Sequence, residues 1–325
     1  MLVMRFKTGL AVAAGALPAS LVLIVLFLTI YAWPAILFNG FQFVTSDTWN
    51  LGNLYADPVM VNGTEIPPGA HYGTLFLIVG TLLSTLIALL IAVPVGVGAA
   101  VFLAEAVPGR LRLGLSFFVE LLAAVPSVVF GLWGYVVVIP FLGHYLFPLM
   151  VKVIGFIPFF GGAPGSGYGL LTSGVVLSLM IVPLIVATLR DALVSQPAAA
   201  REAVAALGAT KFEVVWNVLL PSQSRVLIGA SILALGRALG ETMAVLMVSG
   251  NALNYLPGNI YTPISTMAAF IVSQLDSALQ DPTDMAVKSL AEIALILSLI
   301  SLVINFLARI LLSLERQGAR RATIA

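Results

Sequence analysis

The 325-residue chain has no cysteine, only two histidines and little charge, since 9% of its residues are charged. The absence of cysteine excludes disulfides, thiolate metal sites and cysteine nucleophiles. The histidines, His71 and His144, fall in predicted loops far apart in the sequence, so no metal site is predicted. The formal net charge of +1 provides no overall field to attract nucleic acid. With no cysteine, two histidines and few charged residues, the chain has few side chains that could catalyse a reaction or bind a metal ion.

Catalytic motifs are also missing. The sequence contains no G-x-x-x-x-G-K-[ST] phosphate loop, so the chain does not bind ATP in that fashion. It has neither an H-E-x-x-H zinc motif nor a G-x-S-x-G nucleophile elbow. We therefore expect a chain that is not itself an enzyme and that carries no cofactor.

Apolar residues, by contrast, make up 60% of the chain, more than a soluble domain of this size could bury. Six segments reach the length of about 20 residues that a membrane-spanning helix needs. We place them at 11–38, 73–104, 115–142, 169–190, 225–250 and 286–312. The predicted fold class is an all-α membrane protein with six transmembrane helices.

The connections between these segments differ in charge, and this difference predicts the orientation. With a cytoplasmic N-terminus, the outer connections carry only Lys152 and Lys288, and Arg237 falls within a span. The inner side then holds all the remaining basic residues, which the positive-inside rule favours. Both termini are therefore expected in the cytoplasm. The outer connections are 39–72, 143–168 and 251–285.

One inner connection has the punctuation of two short helices. It reads REAVAALGATKFEVVWNVLLP over residues 201–221 and is too polar to cross a bilayer. Gly208 is placed to end a first helix in a left-handed conformation. Thr210 and Glu213 form a T-x-x-E capping box that opens a second helix, which Pro221 closes. Such an element on the cytoplasmic side predicts a docking surface for another protein.

Charged residues within the spans are costly, and each is a candidate functional group. Arg237 and Glu241 lie four residues apart in GRALGETMAV, so a continuous helix would place them on one face. A guanidinium can grip two oxygens of a tetrahedral oxyanion. We therefore predict a substrate path that includes Arg237, Glu241, the adjacent Thr242, and Glu120 of the third span.

Structural explanations compete with this prediction. Arg237 and Glu241 could simply neutralise each other within the helix bundle, and a resting pair could also open to receive an anion. Glu120 could belong to a packing network rather than to the path. Glu292 follows Lys288 by four residues near the outer interface, which is typical of a surface ion pair.

Residues 201–221 resemble the EAA loop of ABC importer permeases. The match lies in Glu202-Ala203, in Gly208 six residues after the glutamate, and in the final Leu220-Pro221. Val204 replaces the usual second alanine. In that family the loop forms coupling helices that dock on a cytoplasmic ATPase. The resemblance assigns this contact to Glu202, Ala203, Gly208, Phe212 and Pro221.

A narrower resemblance covers residues 41–310. The segments FVTSDTWN, ELLAAVPSVVFGLWG and LGRALGETMAVLMVSGN resemble the phosphate-specific (Pst) permeases, and GRALGETMAV resembles their C-type subunit. The resemblance implies the architecture of a type I ABC importer permease in the inner membrane of a prokaryote. The implied partners are an A-type permease, two ATPase subunits, an extracytoplasmic phosphate-binding protein and membrane lipid, but no nucleic acid.

The expected organisation follows from this resemblance and from the spans. Its parts are an N-terminal transmembrane helix (1–38), an extracytoplasmic segment (39–72), a five-helix permease core (73–312) with the coupling loop at 191–223, and a cytoplasmic tail (313–325). The expected function is ATP-driven phosphate import. A permease for sulfate, molybdate or tungstate, a secondary anion transporter or channel acting alone, and a membrane sensor or scaffold remain alternatives.

Overall fold

Helices dominate the structure, as the long apolar segments predict. The computed structural model describes the backbone of residues 2–61 and 63–324, with side chains at 10, 14–61, 63–199 and 201–310. Five helical runs in this part of the chain are long and apolar enough to cross a bilayer, and one bent helix pair adds a sixth candidate. They are Ala14–Asn39, Leu75–Ala106, Ser127–Ile154, Leu170–Val194, Met285–Ile310, and Lys211–Ser222 with Ser224–Leu239. The predicted all-α membrane fold is confirmed.

The helices are numbered in chain order. They are α1 (Leu2–Asn39), α2 (Gln42–Thr45), α3 (Leu75–Val101), α4 (Gly109–Ala123), α5 (Ser127–Trp133), α6 (Ile139–Phe141), α7 (Phe147–Ile154), α8 (Leu170–Val194), α9 (Ala198–Ala206), α10 (Lys211–Val214), α11 (Leu220–Ser222), α12 (Ser224–Leu239), α13 (Met243–Val248), α14 (Met267–Ala278) and α15 (Met285–Ile324). The chain forms two compact units. One holds the residues up to Leu75 with Ile271–Ile300, and the other holds Phe76–Phe270 with the residues from Ser301 onward.

The third predicted span, 115–142, is wrong in position. Residues before Ala124 form the separate helix α4, and the candidate span begins only at Ser127 and continues to Ile154. The break falls at Pro126, whose ψ of 141° is extended and which has no N–H to continue α4. Glu120 therefore lies in α4, outside the third span.

The third span passes through two prolines because the turns before them are widened. Each π-helical turn in the part of the chain that the structure describes ends two residues before a proline. These turns are Phe102–Ala106, Gly134–Val138, Leu142–Leu146 and Val215–Leu219, before Pro108, Pro140, Pro148 and Pro221. A proline cannot bond to the carbonyl four residues earlier, and a wider turn lets that carbonyl accept from the following residue. This local adjustment carries the helix beyond the predicted end at 142.

Within the first unit, two short antiparallel strand pairs fold the connection between α2 and α3. Strand β1 (Trp49–Asn50) pairs with β4 (His71–Tyr72), and β2 (Val59–Val61) pairs with β3 (Thr64–Ile66). The Tyr72 ring lies edge-on to Trp49, with the ring centroids 4.9 Å apart. Burial, and then the negative charge of Asp281, raises the pKa of Tyr72, so its hydroxyl stays neutral.

Glu292 in α15 does not form the predicted surface pair with Lys288. It is only 5% exposed, and its Oε2 accepts a 2.9 Å hydrogen bond from Asn39 Nδ2 of α1. Lys288 Nζ instead donates to the Thr283 carbonyl at 3.2 Å. The prediction is wrong because Glu292 lies on the face of α15 that packs against α1 in this unit.

Helix α8 forms the centre of the second unit. Its apolar side chains pack against small residues of α3 and α12, which are Ala88, Ala92, Ala234 and Ala238. A Cβ on Gly96 of α3 would lie 2.8 Å from Ile185 Cγ2 of α8. Small residues let membrane helices approach closely, and packing contacts then hold them together. This rigid centre supports the elements that carry the candidate site.

Candidate functional site

The connection after α8 forms the predicted helix–turn–helix. Helix α9 ends at Ala206, and Gly208 has a φ of +86° that an L side chain adopts only with strain. Glu213 N donates to Thr210 Oγ1 at 3.3 Å, and Thr210 N donates to Glu213 Oε2 at 2.8 Å. The bonds from the Thr210 backbone and hydroxyl lower the pKa of the Glu213 carboxyl. The capping box and the left-handed glycine are confirmed, and Pro221 lies one residue before α11 ends at Ser222.

This element, residues 197–222, exposes large apolar side chains. Leu207 is 87% exposed, Phe212 is 72% exposed and Trp216 is 60% exposed. The Phe212 and Trp216 rings stack with an interplanar angle of 6° and a centroid separation of 6.1 Å. The predicted contact residues Glu202, Ala203, Gly208 and Pro221 are exposed as well. Large exposed apolar groups on a polar connection mark an interaction surface.

The same element is attached to the helix bundle through Arg201. Arg201 Nη2 lies 2.7 Å from Glu105 Oε1, at the end of the span that begins with α3. The same Nη2 donates to the Leu193 carbonyl of α8 at 2.8 Å. Arg201 thus links α9 to two spans. This ion pair was not predicted from the sequence, although Glu105 is a charged residue at the end of an apolar run.

A groove adjoins the same element. A cavity of about 1130 Å³ lies between the last turns of the α3 span and α10–α11, and its lining is mainly apolar. Gly98 and Phe102 line one wall, and Phe212 and Trp216 line the other. A Cβ on Gly98 would meet no atom within 4 Å, so this face of α3 is open.

The continuous helix predicted through Arg237 and Glu241 is not formed, and the alternative that the two side chains neutralise each other is wrong, since they form no ion pair within the described residues. Helix α12 ends at Leu239 and Gly240 follows it, so Arg237 lies in the last turn and Glu241 lies beyond the helix. Glu241 Oε1 instead accepts hydrogen bonds from the backbone N–H groups of Thr242 (3.2 Å) and Ala244 (3.3 Å). These bonds satisfy free donors at the start of α13, a role that a carboxylate fills well.

The Arg237 side chain is exposed and, within the described residues, makes no hydrogen bond or ion pair. It lines a cavity of about 470 Å³ together with Leu184, Gly236 and Asn305. The Thr242 hydroxyl donates to the Gly240 carbonyl at 3.3 Å. A guanidinium group that has no ion-pair partner can bind an oxyanion directly. A guanidinium that is already paired with a carboxylate would bind it less readily.

Glu120 belongs to an ion-pair network, as the alternative interpretation allows, but its partners Arg190 and Asp191 were not predicted from the sequence. Its Oε1 lies 3.0 Å from Arg190 Nη2 of α8, and Asp191 Oδ1 lies 2.6 Å from the same nitrogen. The Arg190 side chain is only 8% exposed. The sequence contains one sign of this network, because Arg190 follows an apolar run and is directly followed by Asp191.

Comparison with known proteins identifies the class. The family described as "Binding-protein-dependent transport system inner membrane component" matches residues 92–317. A chain of the MetNI methionine ABC transporter, solved in inward-facing conformations, aligns with 73% of this chain over 95% of its own length, with a TM-score of 0.50 and 17% sequence identity. A chain of a bacterial ABC transporter that imports the acidic polysaccharide alginate aligns with 74% of this chain over 78% of its own length. Its TM-score is also 0.50 and its sequence identity is also 17%. The fold and the family match together define a multi-pass inner-membrane transport component.

Proteins related in sequence identify the family within this class. "Phosphate transport system permease protein PstC 1" of Mycobacterium tuberculosis is 48% identical over 283 residues, which are 86% of this chain and 84% of that protein. The protein of the same name from Mycobacterium bovis is equally similar. PstC of Pasteurella multocida is 36% identical over 295 residues, 89% of this chain and 85% of that protein. The chain belongs to the PstC family of phosphate transport system permeases.

Proposed function

We propose that this chain is the membrane-spanning permease subunit of an ATP-driven importer of inorganic phosphate. It forms half of the translocation path and couples that path to a separate ATPase. The observation that carries the proposal is the element 197–222, which exposes an apolar face outward and is tied to the spans by Arg201. The phosphate-transport names of relatives that are up to 48% identical support the choice of substrate.

The proposed complex contains an A-type permease, two ATPase subunits and an extracytoplasmic phosphate-binding protein. The ATPase contacts Glu202, Ala203, Gly208, Phe212 and Pro221. Closure of the ATPase dimer pulls this element, and the link from Arg201 to Glu105 and to the end of α8 carries the movement into the spans. The ATP is bound and hydrolysed by the partner subunits, and the chain described above performs no covalent chemistry.

Arg237 is the proposed phosphate contact in this half of the path. It is exposed, unpaired within the described residues, and directed to a cavity. One arginine is a weak anion site, which suits a transporter because it must release its substrate. We propose that the partner permease supplies a second cation. Glu241, Thr242 and Glu120 remain proposed path residues beside the capping and ion-pair contacts that each makes.

The proposed orientation places both termini, the coupling loop 191–223 and the tail 313–325 in the cytoplasm. The helix 1–38 precedes the extracytoplasmic segment 39–72, and the permease core is 73–312. Accessible tags at the two termini and at residue 195 should label from the cytoplasm, and tags at 60, 160 and 258 from outside. Cytoplasmic labelling at 160 would contradict this topology.

Uptake by the reconstituted complex tests the substrate. Proteoliposomes with all partners should take up radioactive phosphate only with ATP, and excess sulfate, molybdate or tungstate should not compete. Competition by one of these anions would favour a different oxyanion permease. Uptake by the chain alone, driven by an ion gradient, would instead establish a secondary transporter and refute the proposed coupling to an ATPase.

A further inference from the structure

A second polar cavity lies away from Arg237, between α4 and the end of α8. Its volume is about 410 Å³. Arg112 and Ser116 of α4 line one side, and Arg190 of α8 lines the other with Ser195 just beyond that helix. Two arginines therefore line one small space, and a pair of guanidinium groups can bind an oxyanion.

Within the part of the chain that the structure describes, each of these arginines has a buried nitrogen without a hydrogen-bond partner. The Arg190 side chain is 8% exposed; its Nε and Nη2 bond to carboxylates, but Nη1 is buried and unpartnered. Arg112 Nη2 donates to the Val107 carbonyl at 3.2 Å, whereas its Nε is buried and unpartnered. Buried N–H donors are costly when unsatisfied, so an acceptor atom that reaches either nitrogen is favoured.

The acidic neighbours limit which ligand fits. Glu120 and Asp191 also line the cavity, and their side chains are 59% and 69% exposed. They occupy Nε and Nη2 of Arg190 and balance the two arginine charges. A ligand with one negative charge and several acceptor oxygens suits this site better than a highly charged anion.

We infer that this cavity binds a phosphate group, as the headgroup of an anionic phospholipid or as free inorganic phosphate. The two arginines supply the donors, and the Ser116 hydroxyl lies in the same lining. The rim favours the lipid form, because Leu113 is 75% exposed, Phe117 is 61% exposed and Val194 is 43% exposed. This cavity is separate from the one that Arg237 lines.

The test measures ligand binding to the purified full-length chain in a non-ionic detergent. The probes are dihexanoyl-phosphatidylglycerol, inorganic phosphate, and dihexanoylglycerol, which lacks the phosphate. The background is Arg237→Gln, so that the proposed transport contact does not contribute. Native mass spectrometry for the lipids and equilibrium dialysis of radioactive phosphate give the affinities.

Arg112→Gln is the informative variant, because its side chain makes no ion pair within the described residues and its loss strands no carboxylate. It should weaken binding by about 10- to 100-fold, as expected for the loss of a hydrogen bond to a charged group. Arg110→Gln, an exposed arginine of the same helix, is the matched control and should bind normally.

The outcomes separate the two sources of the phosphate group. Arg112-dependent binding of phosphatidylglycerol but not of inorganic phosphate establishes a lipid headgroup site, and the reverse establishes a site for the free ion. Two results overturn the inference. One is no binding of either phosphate-bearing probe beyond that of dihexanoylglycerol, and the other is an equal loss in Arg112→Gln and Arg110→Gln.

Discussion

The ion pair between Glu105 and Arg201 offers a direct test of how the coupling element is linked to the spans. The two side chains are 25% and 30% exposed, and the charged atoms are 2.7 Å apart. An exposed ion pair contributes about 0.2–1 kcal/mol, and removing one partner of a fully buried pair costs about 3–5 kcal/mol. This partly buried pair falls between these limits. We expect each single substitution to cost about 1–2 kcal/mol, a factor of about 5–30.

The perturbation is Glu105→Gln, Arg201→Gln and the double variant. In proteoliposomes that contain all partners, phosphate uptake and ATP hydrolysis are measured on the same samples. Each single variant should lower phosphate uptake per ATP by about 5- to 30-fold while ATP hydrolysis continues. The double variant should be little worse than either single variant, because both remove one interaction. Arg225→Gln, at an exposed arginine of α12, is the matched control and should transport normally.

Two results would refute this mechanism. If the effects of the two single substitutions simply add, to within about 0.3–0.5 kcal/mol, the residues are not energetically coupled. If uptake per ATP stays normal while the thermal stability of the complex falls, the pair only stabilises the fold. Thermal unfolding of the same complexes distinguishes this second result from uncoupling.

Three further predictions concern single positions. Gly208→Val should abolish ATP-driven uptake without preventing membrane insertion. A Cβ at this position meets no atom, so the cost of about 1–2 kcal/mol comes from the left-handed backbone. Gly208→Asn should retain uptake, and normal uptake by the valine variant would remove the coupling assignment. Arg237→Gln should lose phosphate uptake, and adding Glu241→Gln should not restore it, because the two side chains form no ion pair within the described residues. Glu241→Gln should also lower the thermal unfolding temperature, because its carboxylate accepts two backbone hydrogen bonds at the start of α13. Restoration of uptake in the double variant would show that the two side chains do pair. Gly96→Ala should lower the thermal unfolding temperature, because the added methyl group would overpack against Ile185 of α8 at a cost of about 1–3 kcal/mol. Gly98→Ala is the control and should leave the unfolding temperature unchanged. Equal effects of the two substitutions would contradict the close contact between α3 and α8.

Features that depend on neighbours along the chain were predicted well. The membrane class follows from the length and hydrophobicity of the apolar runs. The turn at Gly208 and the capping box of Thr210 with Glu213 were also predictable, because the groups that bond are within three residues of one another. The resemblance to PstC permeases rests on motifs that likewise appear in the linear sequence.

Helix ends were predicted less well, because a proline or glycine can end a helix inside a segment whose hydrophobicity continues. Apolar residues continue across Pro126, yet that proline begins a new helix and removes Glu120 from the third span. The sequence GRALGETMAV permits a continuous helix, but α12 ends before Gly240 and Glu241 caps α13. A spacing of four residues then no longer places Arg237 and Glu241 on one face.

Contacts between distant segments were decided by the tertiary structure alone. Arg190 meets Glu120 from 70 residues away, and Asn39 meets Glu292 from 253 residues away. Glu105 and Arg201 meet because the chain returns after α8 and brings Arg201 close to both Glu105 and the Leu193 carbonyl. In each case, burial makes an unpaired polar group costly, so the side chain bonds to whichever partner the helix packing supplies. Sequence alone shows which residues carry charge, and only the packing of the helices determines where each charge is paired.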